Sequence, residues 1–313
     1  MKVTILMATY NGERYLAEQI ESIRKQSFRD WTLLIRDDGS TDQTRQIIAD
    51  YEQLDARIRL ITPNSFDNYG VIKSFFTLLK HEKADYYFFS DQDDVWLPDK
   101  LQIQLEAAQT YSKQTPLLIY TDLKVVDQEL HVMHESMIRT QSDHANTSLR
   151  QELTENTVTG GTMMINHALA QLWTDTDDLL MHDWYLALLA AAFGHLIYLP
   201  QPTELYRQHA DNVLGARTLR KRFNNWIRPH VLFDKYWSLI KASQKQAKKL
   251  LDFPLKQEDK AMVEGFVYIM EQPAFGRLKT LRDFGLGKNR FFHTLVFRTL
   301  ILTKFAYRRH KSQ

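Results

Sequence analysis

The chain contains no cysteine. Disulfides and thiolate metal sites are therefore excluded, and the composition suits a reducing compartment. It has no uncharged apolar run of the roughly 18 residues or more needed to span a bilayer. The opening MKVTILMATYNG is too short in its apolar part for a signal peptide, and no small-residue cleavage site follows it. It reads as a buried strand. Low-complexity tracts are absent. The Gly-x-Gly-x-x-Gly fingerprint is missing after the first strand, and so is a P-loop, so a dinucleotide or ATP cradled by glycines is not expected. No nucleic-acid module accompanies the basic segments, which argues against nucleic acid as a partner.

The net charge of +2 conceals two opposite halves. Residues 1–216 hold 18 Lys and Arg against 31 Asp and Glu, a net −13. Residues 217–313 hold 22 against 7, a net +15. The break near residue 216 marks a domain boundary, with an acidic domain at 1–216 and a basic helical region at 217–313. A length of 313 residues suits a domain plus an appendage.

The acidic half alternates. KVTILMATY (2–10), WTLLIRDDGS (31–40), RIRLITP (57–63) and ADYYFFSD (84–91) are apolar and rich in β-branched or aromatic residues, as strands are. Between them, 11–26, 40–54 and 68–81 carry helical spacing, with Tyr15, Leu16, Ile20 and Ile23 on one face of the first. Strand, helix, strand predicts a parallel sheet with right-handed crossovers, whose ligands bind at the carboxyl ends of the strands. Polar residues fall at those ends: Thr9 to Asn11, Asp37 to Ser40, Asn64 to Gly70, and Asp91 to Asp94.

The last cluster carries the most chemistry. SDQDDVW places Asp91, Asp93 and Asp94 directly behind YYFF. Three carboxylates there repel one another, and a solvated acidic turn is a poor explanation so close to an aromatic strand. Carboxylates cannot hold phosphate directly. They can do so through a magnesium-like cation, which takes one or two protein carboxylates, substrate phosphate oxygens and water. The expectation is a metal at Asp91 and Asp93 that in turn holds a diphosphate.

ILMATYNGERYLAEQIESIRKQSFRDWTLLIRDDGSTDQT, followed by SDQDDVW, closely resembles the family 2 glycosyltransferases. The resemblance covers about residues 1–215. It implies the GT-A nucleotide-diphospho-sugar transferase fold, a Rossmann-like and mostly parallel α/β sheet, here with a C-terminal helical appendage. It also implies inverting chemistry. SDQDDVWLPDKL, TGGTMMIN, MHDWYLAL and YRQHADNVLG are similar to the bacterial branch that holds rhamnosyltransferases of cell-wall and capsular polysaccharide assembly. The donor so implied is dTDP-β-L-rhamnose, and the acceptor a lipid-linked glycan. A UDP-hexose or UDP-N-acetylhexosamine donor is the same chemistry with another sugar. A non-catalytic nucleotide-sugar-binding or scaffold protein is the alternative of another class.

By the same resemblance, Asp38 accepts a hydrogen bond from the pyrimidine N3–H. A turn or cap role competes, and Asp42 suits capping better than Asp38 does. Thr9 and Tyr10 line base and ribose, or else simply pack at the strand end. Asn68 and Gly70 close the loop of the third strand, where Asn68 as a helix N-cap is an equal account. Asp93 ligates the metal, Mg2+ or Mn2+, and Asp91 contacts ribose or metal-bound water. Asp94 supports them or caps the next helix. Gly160 and Gly161 lie beside donor sugar and acceptor, against the reading of an ordinary tight turn. Asp183 is the base that takes the proton of the acceptor hydroxyl, unless it only caps its helix. The family usually has Glu-Asp where this chain has His182-Asp183. Trp184 stacks on a sugar or packs. Arg207 neutralises the diphosphate, and His209 completes the metal site.

Residues 217–313 read as helices. Leu232, Phe233, Tyr236, Leu239, Ile240, Ala247 and Leu250 recur at helical spacing beside Lys241, Lys245, Lys248 and Lys249. NRFFHTLVFRTLILTKFAYRRHK is more apolar but carries Arg298 and Lys304. Cations and aromatics beside an apolar stripe fit a helix lying in an anionic membrane interface. A helical oligomerisation or packing surface, with homo-oligomers, is the alternative. The expected location is the cytoplasmic face of the cell membrane, held peripherally.

Overall fold

Alternate residues of the first strand enter two different cores. Val3, Ile5 and Met7 pack on one side of the sheet and Leu6 on the other, as a strand buried on both faces requires. A computed structural model describes residues 1–62, 64, 66–208 and 229–307. In its first part, strands β1 (Val3–Thr9), β2 (Trp31–Asp37), β3 (Ile58–Leu60) and β4 (Tyr86–Ser90) alternate with helices α1 (Leu16–Arg24), α2 (Thr44–Leu54) and α3 (Val71–His81). The rhythm matches the expectation, and the pairings β1 with β2, β1 with β4 and β2 with β3 are all parallel.

Beyond β4 the sheet turns mixed. β5 (Val95–Trp96), α4 (Lys100–Ala108), β6 (Leu117–Val126), β7 (Val132–His134), α5 (Met137–Gln141), α6 (Leu149–Glu152), β8 (Met163–Asn166), α7 (His167–Leu172), α8 (His182–Phe193) and β9 (His195–Arg207) follow. The order across the sheet is β3-β2-β1-β4-β8-β6-β9-β5, with β7 beside β6. β8 runs antiparallel to β4 and to β6, and β9 parallel to β6. The continuous parallel run read from the sequence thus covers the first four strands, and parallel pairing returns between β6 and β9. Strand order reverses between β1 and β4, which places a ligand crevice outside their carboxyl ends.

One core lies between the sheet and α1, α2 and α4, with Ile20, Ile23, Ile48, Leu101 and Leu105 buried there. The other holds α3, α7 and α8. Helix α8 is apolar all round and nearly every residue of it is buried, as an interior helix must be. Its amino end reaches the site.

The described part of the basic region is helical: α9 (Pro229–Lys248), α10 (Gln257–Val267), α11 (Ala274–Asp283) and α12 (Phe291–Thr303). The charge break is not a break in the core. Trp237, Ile240, Phe266, Leu281, Phe297 and Leu300 join the same cluster as Trp184 and Leu188. Polar ties cross as well: Gln246 accepts from the Leu180 N–H at 3.1 Å, and Lys249 pairs with Asp175.

Candidate active site

Parallel register sets the first wall. Thr9 lies opposite Asp37, so β1 and β2 end flush. The Thr9 hydroxyl donates to Asp37 at 3.0 Å, and Asp37 also takes the Ser40 N–H at 3.0 Å and the Arg45 guanidinium at 3.3 Å. Thr9 is fully buried and its hydroxyl serves this lock. The expectation of a base or ribose contact from its side chain is corrected accordingly. Tyr10, the next residue, is half exposed.

Asp38 faces inward to the start of α3. It accepts the N–H groups of Tyr69 at 2.7 Å and Gly70 at 2.8 Å, the Ser74 hydroxyl at 3.1 Å, and the Arg36 guanidinium. Burial pulls its pKa up, but Tyr69, Arg36 and Gly70 outweigh that and leave it below the ordinary value. The cap of α3 is Gly70 at φ 79, a conformation glycine adopts without a Cβ penalty. Asn68 is exposed in the preceding loop and does not cap α3. Asp42 does support the start of α2, accepting from the Thr44 N–H at 3.0 Å.

Sequence reasoning missed two aromatics here. Phe66 and Tyr69 stand exposed beside the Asp37–Asp38 edge, under Arg45 at 4.3 Å and Arg36 at 4.4 Å. Aromatics in the polar loop NSFDNYG were the available signal.

The acidic cluster follows β4 across the reversal point. Asp91 and Asp93 are half-buried and Asp94 is buried. Asp91 keeps part of its surface open yet is densely enclosed. Burial first, then the charges of Asp93, Glu204 and Asp183, push its pKa far above the carboxylate range. Burial and Glu204 raise Asp94 as well. Asp94 accepts the Arg207 N–H at 2.9 Å and therefore braces β9; helix α4 begins at Lys100 behind Asp99, so Asp94 does not cap it.

Glu204 was not foreseen. It is fully buried on β9, paired with the equally buried Lys100 at 2.8 Å. Lys100 also donates to the Gly161 carbonyl at 2.6 Å. Burial lowers the Lys100 pKa against the pull of Glu204. A Cβ on Gly161 would strike the Glu204 carboxyl, and one on Gly160 would crowd the His182 ring at 3.2 Å. The paired glycines therefore permit close approach, inside a 3-10 turn at Gly160–Thr162.

Asp183 lies in the first turn of α8, behind the N-cap Met181. It is only 7% exposed. Burial pushes its pKa up to about 7, with the N–H groups of Trp184 and Gly160 pulling the other way. Asn156 approaches it at 3.4 Å. A buried carboxyl poised near neutrality is equipped to take a proton. His182 stacks on Phe75 at 4.4 Å, and burial drives its pKa down to about 3, so it is a neutral core ring. Trp184 donates its indole N–H to the Glu152 carbonyl at 2.6 Å and is buried in the core. It packs, and the sugar-stacking expectation is corrected.

Arg207 differs from expectation too. Its guanidinium is buried and donates to the carbonyls of Asp93, at 2.9 Å, and Gln128, and to Glu18. It is committed to protein acceptors and holds the acidic turn. His209 lies outside the described residues.

The donor set at Asp91 and Asp93 fits a hard divalent cation: carboxylate oxygens at a strand end, where burial first and then neighbouring carboxylates raise Asp91 and Asp94. Among the described residues, three ligand-type groups converge elsewhere, at Asp127, Glu129 and His131. There Asp127 accepts the N–H groups of Glu129 and His131, at 3.0 and 2.9 Å, which accounts for the cluster as an exposed turn.

A strand-order reversal, an acidic strand end and a buried, raised carboxyl suit an enzyme of group transfer. The chain belongs to glycosyl transferase family 2: the model of that description, "Glycosyl transferase family 2", matches residues 4–173. It is a glycosyltransferase. It is 31% identical over 247 residues, 72% of this chain and 82% of the other, to "dTDP-rhamnosyl transferase RfbG" of Shigella flexneri. A shorter match, 36% over 103 residues, joins it to "UDP-Glc:alpha-D-GlcNAc-diphosphoundecaprenol beta-1,3-glucosyltransferase WfgD" of Escherichia coli, covering 33% of this chain and 39% of that one. Among solved structures, S. aureus TarS 1-349 in complex with UDP-GlcNAc superposes with a TM-score of 0.61 at 18% identity, covering 91% of this chain and 80% of that one. The mannosyltransferase PcManGT from Pyrobaculum calidifontis, in complex with GDP-Man and Mn2+, gives 0.58 at 12%, covering 99% and 88%. The fold is the α/β GT-A fold, with helices following it in the chain.

Proposed function

We propose that this glycosyltransferase is inverting and transfers L-rhamnose from dTDP-β-L-rhamnose to a lipid-linked glycan, at the inner face of the cell membrane. The observation that carries the donor is the 31% identity to a dTDP-rhamnosyl transferase across 72% of the chain. The matches to a UDP-Glc transferase and to a fold that holds UDP-GlcNAc favour a UDP-sugar as the second reading.

The chemistry rests on Asp183. As the acceptor oxygen attacks the anomeric carbon, its proton passes to the Asp183 carboxylate. The bond from that carbon to the diphosphate oxygen breaks, dTDP leaves with the electron pair, and β becomes α. Burial that raises Asp183 to about 7 makes it a competent base above that pH. Asp38 offers the second lone pair of Oδ2, beside the Gly70 N–H, to the pyrimidine N3–H. Tyr10, Phe66 and Tyr69 wall the base, and Asn68 lies in the same loop. Gly160 and Gly161 lie beside donor sugar and acceptor, and their missing side chains make room for His182 and Glu204 behind them. Asp93 would hold a divalent cation, with Asp91 beside it and His209, which lies outside the described residues, as the further ligand. What Mg2+ or Mn2+ supplies when bound there is neutralisation of the diphosphate charge.

The test is transfer from dTDP-rhamnose, UDP-glucose, UDP-galactose and UDP-N-acetylglucosamine to a synthetic lipid-linked sugar, with metal and then with chelator. Chelator-sensitive transfer from dTDP-rhamnose alone is expected. Transfer from a UDP-sugar instead discards the donor and keeps the mechanism. No transfer under any condition favours a binding or scaffold role.

A further inference from the structure

Helix α12 turns its apolar residues two ways. Phe297, Leu300 and Ile301 enter the core. Phe291, Phe292 and Leu295 face outward at 83%, 66% and 54% exposure, and Thr299 and Thr303 continue that uncharged side. Three large apolar side chains within five residues, left in water, form a patch that soluble surfaces rarely keep without a use. Helix α11, packed on α12 through the bond from Arg277 to the Leu302 carbonyl at 2.7 Å, repeats the feature with Phe275 and Leu278 one turn apart. Lys279 and Arg282 share its outer side.

Charge selects the occupant. Residues 274–304 hold seven Lys and Arg and a single acid, Asp283. Arg282 pairs with Asp283 and Arg290 with Asp143, each at 3.2 Å, while Arg277 and Arg298 donate to main-chain carbonyls, of Gln272 and Leu302 and of Leu286, so the segment keeps a positive excess. A second copy of this face would bring two such cationic segments together and be repelled. An anionic bilayer would be attracted while its interface takes the aromatic side chains. No helix among the described residues is long and apolar enough to cross a membrane, so the contact is one of lying on the surface.

We propose that Phe291, Phe292 and Leu295, with Phe275 and Leu278 beside them, form the surface by which this protein inserts into the interface of an anionic lipid bilayer. The proposal rests on the membrane-face part of the function given above and on none of its catalytic assignments.

The experiment is co-sedimentation of the full chain with vesicles of phosphatidylcholine alone and of phosphatidylcholine mixed with phosphatidylglycerol, beside the triple variant F291S/F292S/L295S. All three side chains are exposed, so the variant should keep the melting temperature and the rate of transfer to a soluble acceptor. The expected result is binding of the wild type to the anionic vesicles and not to the neutral ones, weakened at least roughly tenfold in the variant. Phe292→Trp should show, over the emission of the six native tryptophans, an added blue shift with the anionic vesicles. Equal binding by wild type and triple variant overturns the proposal, as does failure of the wild type to bind. A wild-type dimer that the variant turns into a monomer overturns it in favour of self-association. Vesicle binding without any sugar transfer would sink the catalytic reading and leave this surface standing.

Discussion

The Gln92 side chain clasps the main chain of Tyr10, accepting its N–H at 2.8 Å and donating to its carbonyl at 2.9 Å. The two residues lie 82 positions apart, behind β4 and β1, on either side of the point where strand order reverses. The middle residue of Asp91-Gln92-Asp93 thus ties the acidic turn to the wall of the proposed nucleotide crevice.

Gln92→Ala should free that turn. Two hydrogen bonds are worth about 1–3 kcal/mol together, so the fold survives. Misplacing Asp91 and Asp93 by an ångström should lower kcat/KM by roughly 10- to 100-fold. Gln92→Glu, which can accept from Tyr10 but not donate, should fall between. Steady-state kinetics with a urea melt checks both, and unchanged kinetics in Gln92→Ala would show that the clasp does not position the turn.

Lys100 and Glu204 form a buried pair under Gly161. Lys100→Met leaves Glu204 as a buried, uncompensated charge and should cost roughly 3–5 kcal/mol. Adding Glu204→Gln removes the orphaned charge and should restore most of it. The urea midpoints of the two variants decide the matter, the double variant being the more stable.

Arg207 has its guanidinium in protein hands. Arg207→Lys loses the planar fork and should lower both the melting temperature and kcat. A residue that only contacted the leaving diphosphate would lose kcat and keep its melting temperature, so thermal unfolding separates the two roles.

Asp183 titrates at about 7 in the folded protein, above its ordinary value of 3.8. Between those values the folded state binds the extra proton, so this group lowers stability as pH rises toward 7. Asp183→Asn removes the penalty and should gain stability at pH 8, on the order of a few kcal/mol, measured by denaturant titration. The wild-type kcat/KM should climb about tenfold per pH unit up to about 7 and then level off.

Much of this site was legible in the residues, for reasons that also mark the limit. Strands β1 to β4 are apolar runs with polar ends, so the edge where Asp38, Asp91 and Asp93 gather could be read from the chain alone. Strand β9 could not. It carries Pro200 and Pro202, which argue against a strand, and its pairing with β6 slips around Asp122. Glu204 and Arg207 ride on that strand, so their links to Lys100 and Glu18, 104 and 189 positions away, left no local trace. Thr9 and Trp184 sit next to residues of the candidate site in the chain, but their polar atoms turn to Asp37 and to Glu152. Spacing gives a residue's neighbourhood and not the direction of its side chain.

The most direct test of the account is transfer from dTDP-rhamnose to a lipid-linked acceptor by the wild type and by Asp183→Asn, at pH 8 with metal present. An α-linked product is expected from the wild type, with transfer at least roughly 100-fold slower in the variant. Equal rates in a folded Asp183→Asn would contradict Asp183 as the base.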